Sequence, residues 1–218
     1  MAGSPSADPV SAGPATASGG WAGAVLCGGA SSRMGRDKAL IVLDGRPLAV
    51  RVAEALARAG ARRVAAIGGD GAALAAAGLD PVPDDWPGAG PLGGLVTALR
   101  WAGGVAGGPQ AVVVAACDLL APSPAALEAT VAALGRDPSA DAAVPVVGDR
   151  RQWVHGAWRP TAESPLSEQL ERGRRAIHAA VARARLAVVE VEGLPPGALA
   201  DADVPDDLPD GLRQRPAG

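Results

Sequence analysis

The stretch Leu26-Cys-Gly-Gly-Ala-Ser-Ser-Arg-Met-Gly-Arg-Asp-Lys-Ala-Leu40 indicates both how this chain folds and what it binds. It follows a short apolar run, Ala22 to Leu26, which predicts a buried strand. Glycines, serines and cations then share a single loop. Because glycine lets backbone N–H groups approach an anion closely and the cations neutralise its charge, the loop predicts a polyphosphate site at the end of a strand.

The glycine spacing in this loop excludes two common phosphate-binding motifs. The chain has no G-x-x-x-x-G-K-[ST] sequence, so the loop is not a P-loop. The glycines fall at positions 28, 29 and 35, which does not match the G-x-G-x-x-G spacing of dinucleotide-binding dehydrogenases. A dehydrogenase is therefore disfavoured.

Strand and helix signals alternate along the rest of the chain. Strands are predicted at 64–67, 111–116, 141–147, 154–158 and 186–191, and helices at 48–59, 72–77, 92–102, 124–134, 163–171 and 174–185. Strands separated by helices predict an α/β fold with a mainly parallel sheet covered on both faces. Ligands of such sheets bind beyond the carboxyl ends of the strands, so the loop after Leu26, the Gly68–Gly71 loop and Cys117-Asp118 should open at one edge.

Composition narrows the class of protein. A net charge of −3 and a pI near 5.4 argue against binding to nucleic acid or to a membrane surface. The two cysteines each end an apolar run, which is typical of reduced core thiols, and the two histidines are too isolated for a zinc site. We expect a cytoplasmic protein.

The chain of 218 residues predicts one domain between two tails. Residues 1–20 are mostly Ala, Ser, Gly and Pro without apolar periodicity, which predicts a disordered tail and no signal peptide. Residues 21–208 form the predicted domain, and 209–218 a polar tail. No unbroken run of 18 apolar residues indicates a membrane span.

The loop also resembles a known signature. Its pattern G-G-x-S-x-R-M-G-x-D-K is similar to that of the nucleotidyltransferases that build sugar nucleotides and cofactor dinucleotides, and Asp37-Lys38-Ala39-Leu40 resembles the molybdenum cofactor guanylyltransferase branch. The resemblance covers about residues 21–208. It implies a three-layer, Rossmann-like fold of the nucleotide-diphospho-sugar transferase type, with helices on both faces of the sheet and one antiparallel strand.

The implied reaction moves GMP from GTP onto the terminal phosphate of molybdenum-loaded molybdopterin and releases pyrophosphate. In this resemblance Arg33 and Lys38 hold the β- and γ-phosphates, and Asp118 completes the catalytic set by holding Mg²⁺. The resemblance also suggests cofactor-synthesis or acceptor proteins as partners. The implied nucleotide-binding positions are Leu26, Cys27, Gly28, Gly29, Arg33, Lys38, Asp84, Gly90, Pro91, Leu92 and Asp118.

Two acidic positions are candidate metal ligands. Asp118 follows the predicted strand 111–116 and is either a Mg²⁺ ligand or a helix cap; the family's Cys-Asp at this place favours the metal, although Leu120 stands where the family often has proline. Residues 201–208 are similar to the family's N-x-N-T-P-E-D-L segment, with Asp201 and Asp203 in place of asparagine. Asp203 is the predicted second metal contact, and an acidic turn is the alternative.

The segment from Asp84 to Gly94 resembles the family's D-x-x-P-G-x-G-P-L-x-G, whose aspartate contacts guanine. A carboxylate that accepts from a base N–H and an exocyclic amine would read guanine by paired hydrogen bonds. Asp85 is the alternative residue for this role. The alternative for the whole segment is an ordinary turn with no role in nucleotide binding. The family's asparagine after the second strand is missing here, since Ile67 is followed by Gly68 and Gly69, which weakens the prediction of guanine selectivity.

The sequence leaves alternatives open for the acceptor substrate and for the reaction. Arg174 and Arg175, predicted to open a helix after Gly173, are the best candidates for binding an anionic second substrate. Trp153 and His155 are predicted to pack on an antiparallel strand. The alternatives to guanylyl transfer onto molybdopterin are cytidylyl transfer to it, guanylyl transfer to a phospholactate-type acceptor, and a nucleotide-binding module without activity.

Overall fold

A computed structural model describes residues 20–28, 37–104, 108–195 and 197–201. The sheet has eight strands in the order β10-β7-β9-β6-β1-β4-β5, with β8 paired to β7. The strands are β1 (Trp21–Leu26), β4 (Val64–Ile67), β5 (Pro81–Val82), β6 (Ala111–Ala116), β7 (Ala142–Val147), β8 (Arg150–Arg151), β9 (Ala157–Trp158) and β10 (Val188–Val191). A separate hairpin pairs β2 (Val42–Leu43) with β3 (Arg46–Pro47).

Helices cover both faces of the sheet, because the buried strands send alternate side chains to opposite sides. The helices are α1 (Leu48–Arg58), α2 (Gly71–Ala76), α3 (Pro91–Gly103), α4 (Pro124–Arg136), α5 (Glu163–Glu171) and α6 (Ile177–Ala184). Val25 of β1 packs with α1 and α4, whereas its neighbours Ala24 and Leu26 pack with α3, α5 and α6. The predicted three-layer α/β fold is confirmed.

Strand direction also follows the prediction. β1 pairs in parallel with β4 and with β6, and β9 runs antiparallel between β6 and β7. β9 is shorter than predicted, because Trp153–His155 forms a 3₁₀ turn and only Ala157–Trp158 is extended. The short β8 pairs with β7 and is a second antiparallel strand in this sheet, which the sequence did not indicate.

Local chemistry explains where several helices begin. The Ser123 hydroxyl accepts from the Ala126 N–H, and Pro124 occupies the first position of α4. Asp70 caps α2 by accepting from the N–H groups of Ala72 and Ala73. These caps fix the helix ends relative to the strands they follow, and so the loops at the carboxyl edge of the sheet.

Candidate active site

The carboxyl ends of β1, β4 and β6 meet at one edge of the sheet. The registers align Leu26 with both Ile67 and Ala116, so the residues that follow these three strands are neighbours. The N–H groups of Cys27 and Gly28 both donate to the Ile67 carbonyl, at 2.9 and 3.2 Å. The start of the glycine loop (residues 27–38), at Cys27 and Gly28, therefore lies at the same edge as the Gly68 loop and Asp118, as the sequence predicts.

Lys38 and Asp118 form an ion pair at this edge. The Lys38 Nζ donates to Asp118 Oδ2 at 3.1 Å, and the two side chains are only 18% and 15% exposed. Lys38 begins a 3₁₀ turn that Asp37 caps by accepting from the Ala39 N–H. The structure thus joins residues 80 positions apart in sequence, one cationic and one anionic, beside the end of β1.

Lys38 is also the only lysine of the chain, which otherwise carries nineteen arginines. An ammonium is a compact point charge, whereas a guanidinium is a broad planar fork, so the two are not interchangeable at a confined site. The presence of a single lysine among nineteen arginines therefore points to position 38 independently of the loop motif.

Several predicted site residues lie outside the described residues. Gly29 and Arg33 belong to the segment 29–36, and Asp203 to the segment 202–218. The predicted tails, 1–20 and 209–218, also fall outside the described part except for Gly20. Their roles stay predictions.

Ala200 and Asp201 are held beside Asp118 by backbone pairing. Leu119 forms an antiparallel bridge with Asp201, and the Leu120 N–H donates to the Ala200 carbonyl at 2.9 Å. On its other side, the Leu120 carbonyl accepts from Arg51 Nη2 at 2.9 Å. Sequence reasoning missed Arg51, because an arginine in the middle of an amphipathic helix is typical of a solvated face.

The structure also distinguishes Asp84 from Asp85. Asp84 Oδ2 faces the end of β1: a methyl group on Gly28 would lie 3.5 Å from it. The half-exposed Asp85 instead pairs with Arg100 at 2.9 Å, and Arg100 also pairs with Glu163. The carboxylate beside the glycine loop is therefore that of Asp84.

At the remaining predicted nucleotide-binding positions, the side chains are mostly buried or absent, so the backbone is the part that can face a ligand. Leu92 is fully buried in the core, and Leu26 and Cys27 are at most 8% exposed. Gly90 precedes α3 with a φ of 74°, and Pro91 begins the helix. The Gly90 conformation favours glycine, which explains the Gly-Pro pair at this turn.

The missing asparagine after β4 has a steric explanation. Gly68 has a φ of +75°, and a Cβ there would lie 3.1 Å from the Gly28 Cα and 3.2 Å from its nitrogen. The two loops are so close that a side chain at position 68 would press on the backbone of the glycine loop.

We expect Gly68→Ala to lower the free energy of unfolding by about 2 kcal/mol, because it adds left-handed strain and a tight contact. Gly78→Ala is the matched control, since Gly78 has a φ of +85° with nothing within 4 Å. The excess loss at Gly68, measured by urea denaturation, reports the contact with Gly28. Equal losses in the two variants would contradict this contact.

Both cysteines lie beneath the site as buried free thiols. The pKa of the Cys117 thiol is raised well above its usual value, chiefly by its hydrogen bond with Cys27 and by burial. Such thiols pack as small apolar groups, as predicted for reduced core cysteines.

His155 is buried next to β6, with 1% of its surface exposed. Its Nδ1 has no hydrogen-bond partner among the described residues. Burial lowers the pKa of His155 to about 4, and the negative charge of Asp118 opposes this shift only in part. The histidine is therefore neutral in the folded protein at pH 7.

This lowered pKa predicts a pH-dependent stability. Between pH 6.5 and 4 the unfolded chain binds a proton at His155 that the folded chain does not. The His155 contribution is fully present above pH 6.5 and is lost as the pH falls through this window, by about 3 kcal/mol in total. Urea denaturation of His155→Met should show a flatter profile from pH 7 to 4, whereas exposed His178→Gln should keep the wild-type slope.

The prediction that Arg174 and Arg175 open a helix is wrong. Helix α6 begins at Ile177, after an extended segment, and the two arginines turn back onto α5. Arg174 Nε donates to Gln169 Oε1 at 2.8 Å, and Arg175 Nη1 donates to the Leu170 carbonyl at 3.0 Å. They hold the end of α5 and do not combine with a helix N-terminus.

Comparison with known protein families identifies the chain. The model of the MobA-like NTP transferase domain matches residues 23–187. The chain belongs to this family. The molybdenum cofactor guanylyltransferase of Bradyrhizobium sp. (strain ORS 278) is 32% identical over 195 residues, which cover 88% of this chain and 91% of the relative.

Other matches are more local or more distant. A probable molybdenum cofactor guanylyltransferase of Opitutus terrae is 42% identical over 98 residues, so the aligned part of the chain spans about half the length of that relative (48%). A molybdopterin-guanine dinucleotide biosynthesis protein A from Archaeoglobus fulgidus has a similar structure, with a TM-score of 0.67 and 24% identity over 85% of this chain and 93% of the other. At this identity the likeness shows the fold alone, and it confirms the predicted fold class.

The described residues include neither a membrane-spanning helix nor a ready-made cluster of metal ligands. Within those ranges, no helix is both long and apolar enough to cross a bilayer. The same part of the chain contains no group of three or more His, Cys, Asp or Glu side chains that could hold a metal ion.

Proposed function

We propose that this protein transfers GMP from GTP to the terminal phosphate of molybdenum-loaded molybdopterin and releases pyrophosphate. The observation that carries the proposal is the Lys38–Asp118 pair, which lies at the carboxyl edge of the sheet where the glycine loop leaves β1. Membership of the MobA-like family and the names of its relatives, molybdenum cofactor guanylyltransferases, support the same reaction.

The triphosphate of GTP binds between the glycine loop and Lys38. Gly28, whose N–H donates to the Ile67 carbonyl, has no side chain and lets the phosphates approach the chain closely. The backbone N–H of Gly29 donates to phosphate oxygens, and Arg33 and Lys38 neutralise the β- and γ-phosphates. The same two cations stabilise the charge that develops on the leaving pyrophosphate. Because the reaction requires little besides positioning and neutralisation, these contacts supply most of the rate enhancement.

Asp118 fits a Mg²⁺ ion. Magnesium in nucleotide sites is usually held by one or two carboxylates together with phosphates, and Asp118 is a carboxylate at the edge of the sheet. Leu119, next to Asp118, forms a bridge with Asp201. Asp203, two residues further along the chain, is the proposed second metal ligand. When bound, Mg²⁺ supplies charge neutralisation at the α-phosphate and the attacking oxygen.

Asp84 reads the guanine base. Its Oδ2 lies beside Gly28 and accepts no hydrogen bond from the described residues, so it is available to a base N–H or amine. The attacking phosphate of the acceptor is ionised at pH 7, so no general base is required. We also propose a cytoplasmic location, because paired buried thiols are typical of proteins from reducing compartments.

The test is pyrophosphate release with Mg²⁺ and GTP, CTP, ATP or UTP, each with and without molybdenum-loaded molybdopterin. Release with GTP and the pterin together is the expected result. Preference for CTP would indicate cytidylyl transfer instead. If GTP is turned over only when a phospholactate-type acceptor is supplied in place of the pterin, that compound and not molybdopterin is the acceptor. If all four nucleotides are inactive but calorimetry detects GTP binding, the protein is a nucleotide-binding module.

A further inference from the structure

Thr97 lies behind Asp84, on the buried side of helix α3. It is one of the few buried polar residues, with 2% of its surface exposed. Its hydroxyl donates to Asp84 Oδ1 at 3.0 Å and accepts from the Asp85 N–H at 3.1 Å. The Gly93 carbonyl, also at 3.0 Å, is the alternative acceptor, but the one hydroxyl proton favours the charged carboxylate.

The two oxygens of Asp84 therefore have different roles. Oδ1 accepts from two protein donors, the Thr97 hydroxyl and the Trp86 N–H, each at 3.0 Å. Oδ2 accepts from no described residue and lies next to Gly28. Holding one oxygen from behind fixes the rotation of the carboxylate, so that the other oxygen is directed at the end of β1.

We propose that Thr97 is a positioning residue for base selectivity, which orients Asp84 so that Oδ2 meets the N–H groups of guanine. This inference rests on the proposed binding of GTP. An oriented acceptor rejects a base without matching donors, because the wrong base leaves a desolvated carboxylate unpaired. A carboxylate that rotates freely could turn to solvent and would discriminate less.

The experiment uses an isosteric pair. Thr97→Val keeps the shape but removes the hydroxyl, and Thr97→Ser keeps the hydroxyl. Thr130→Val is the matched control, since Thr130 is equally buried in α4 and its hydroxyl donates only to the Ala126 carbonyl at 2.8 Å. In all four proteins, calorimetry with Mg²⁺ gives the Kd for GTP, ITP and ATP.

A second measurement reports the orientation of Asp84 without any nucleotide. The Trp86 N–H donates to Asp84 Oδ1, and no described hydrogen bond joins it to Thr97, so its hydrogen exchange depends on the carboxylate staying in place. In Thr97→Val we expect this amide to exchange about tenfold faster, and the preference for GTP over ATP to fall about tenfold. Thr97→Ser and Thr130→Val should stay within threefold of wild type in both measurements.

The outcomes separate this inference from the proposed function. Unchanged Trp86 exchange in Thr97→Val, or an unchanged GTP preference in that variant, would overturn the positioning role. Fast Trp86 exchange in Thr97→Val, with a wild-type protein that does not prefer GTP, would confirm that Thr97 orients Asp84 but overturn its role in selectivity together with the guanine part of the proposed function.

Discussion

Asp118→Asn should lower kcat for pyrophosphate release by about 10³-fold, because the amide keeps the shape of the side chain but gives up the charge that holds Mg²⁺. We also expect a loss of stability of about 3 kcal/mol, because the neutral amide leaves the mostly buried Lys38 ammonium without its counter-charge. Steady-state kinetics and urea denaturation measure the two effects separately.

The control for this substitution is Asp149→Asn. Asp149 is exposed in the turn that follows β7 at the same edge of the sheet, so its neutralisation changes the overall charge equally without affecting the proposed metal site. Activity of Asp118→Asn within tenfold of wild type would rule out Asp118 as the essential ligand. A loss of activity that high Mg²⁺ concentrations partly restore would support metal binding directly.

Lys38→Met should reduce kcat/KM for GTP by about 10²- to 10³-fold, because it removes the cation that neutralises the leaving phosphates. We expect Lys38→Arg to recover only part of this loss, since the guanidinium is broader than the mostly buried ammonium that pairs with Asp118 at 3.1 Å. Full activity of Lys38→Arg would contradict this expectation and would show that only the positive charge at position 38 is needed.

The single lysine allows a direct test of nucleotide contact. An amine-reactive ester can modify only Lys38 and the chain N-terminus, so mass spectrometry reads the modification of Lys38 without interference from other side chains. GTP with Mg²⁺ should protect Lys38 but not the N-terminus. Equal modification of Lys38 with and without GTP would contradict phosphate binding by this residue.

The fold could be predicted from the sequence because its signals are local. The buried strand 111–116 is apolar throughout, and Ser123-Pro124 marks a helix start, so both elements matched the structure. Predictions failed where the local signal was ambiguous. Arg174 and Arg175 match a helical pattern, but their contacts to Gln169 and Leu170 hold them in an extended segment before α6.

The features of the candidate site also fall into those that have a local sequence signal and those that do not. The sequence by itself determined the residue types and their positions after strands: the glycine loop after β1, the aspartate after β6 and the acidic turn before α3. It could do so because a parallel sheet places the carboxyl ends of its strands at one edge, whatever the details of packing.

Only the tertiary structure decided which of these groups lie in contact. It paired Lys38 with Asp118, chose Asp84 over Asp85, and set Thr97 behind the chosen carboxylate. These choices depend on hydrogen bonds and close contacts between segments far apart in sequence. Periodicity within a segment carries no information about such contacts, because it reports which face of an element is buried and not what that face meets.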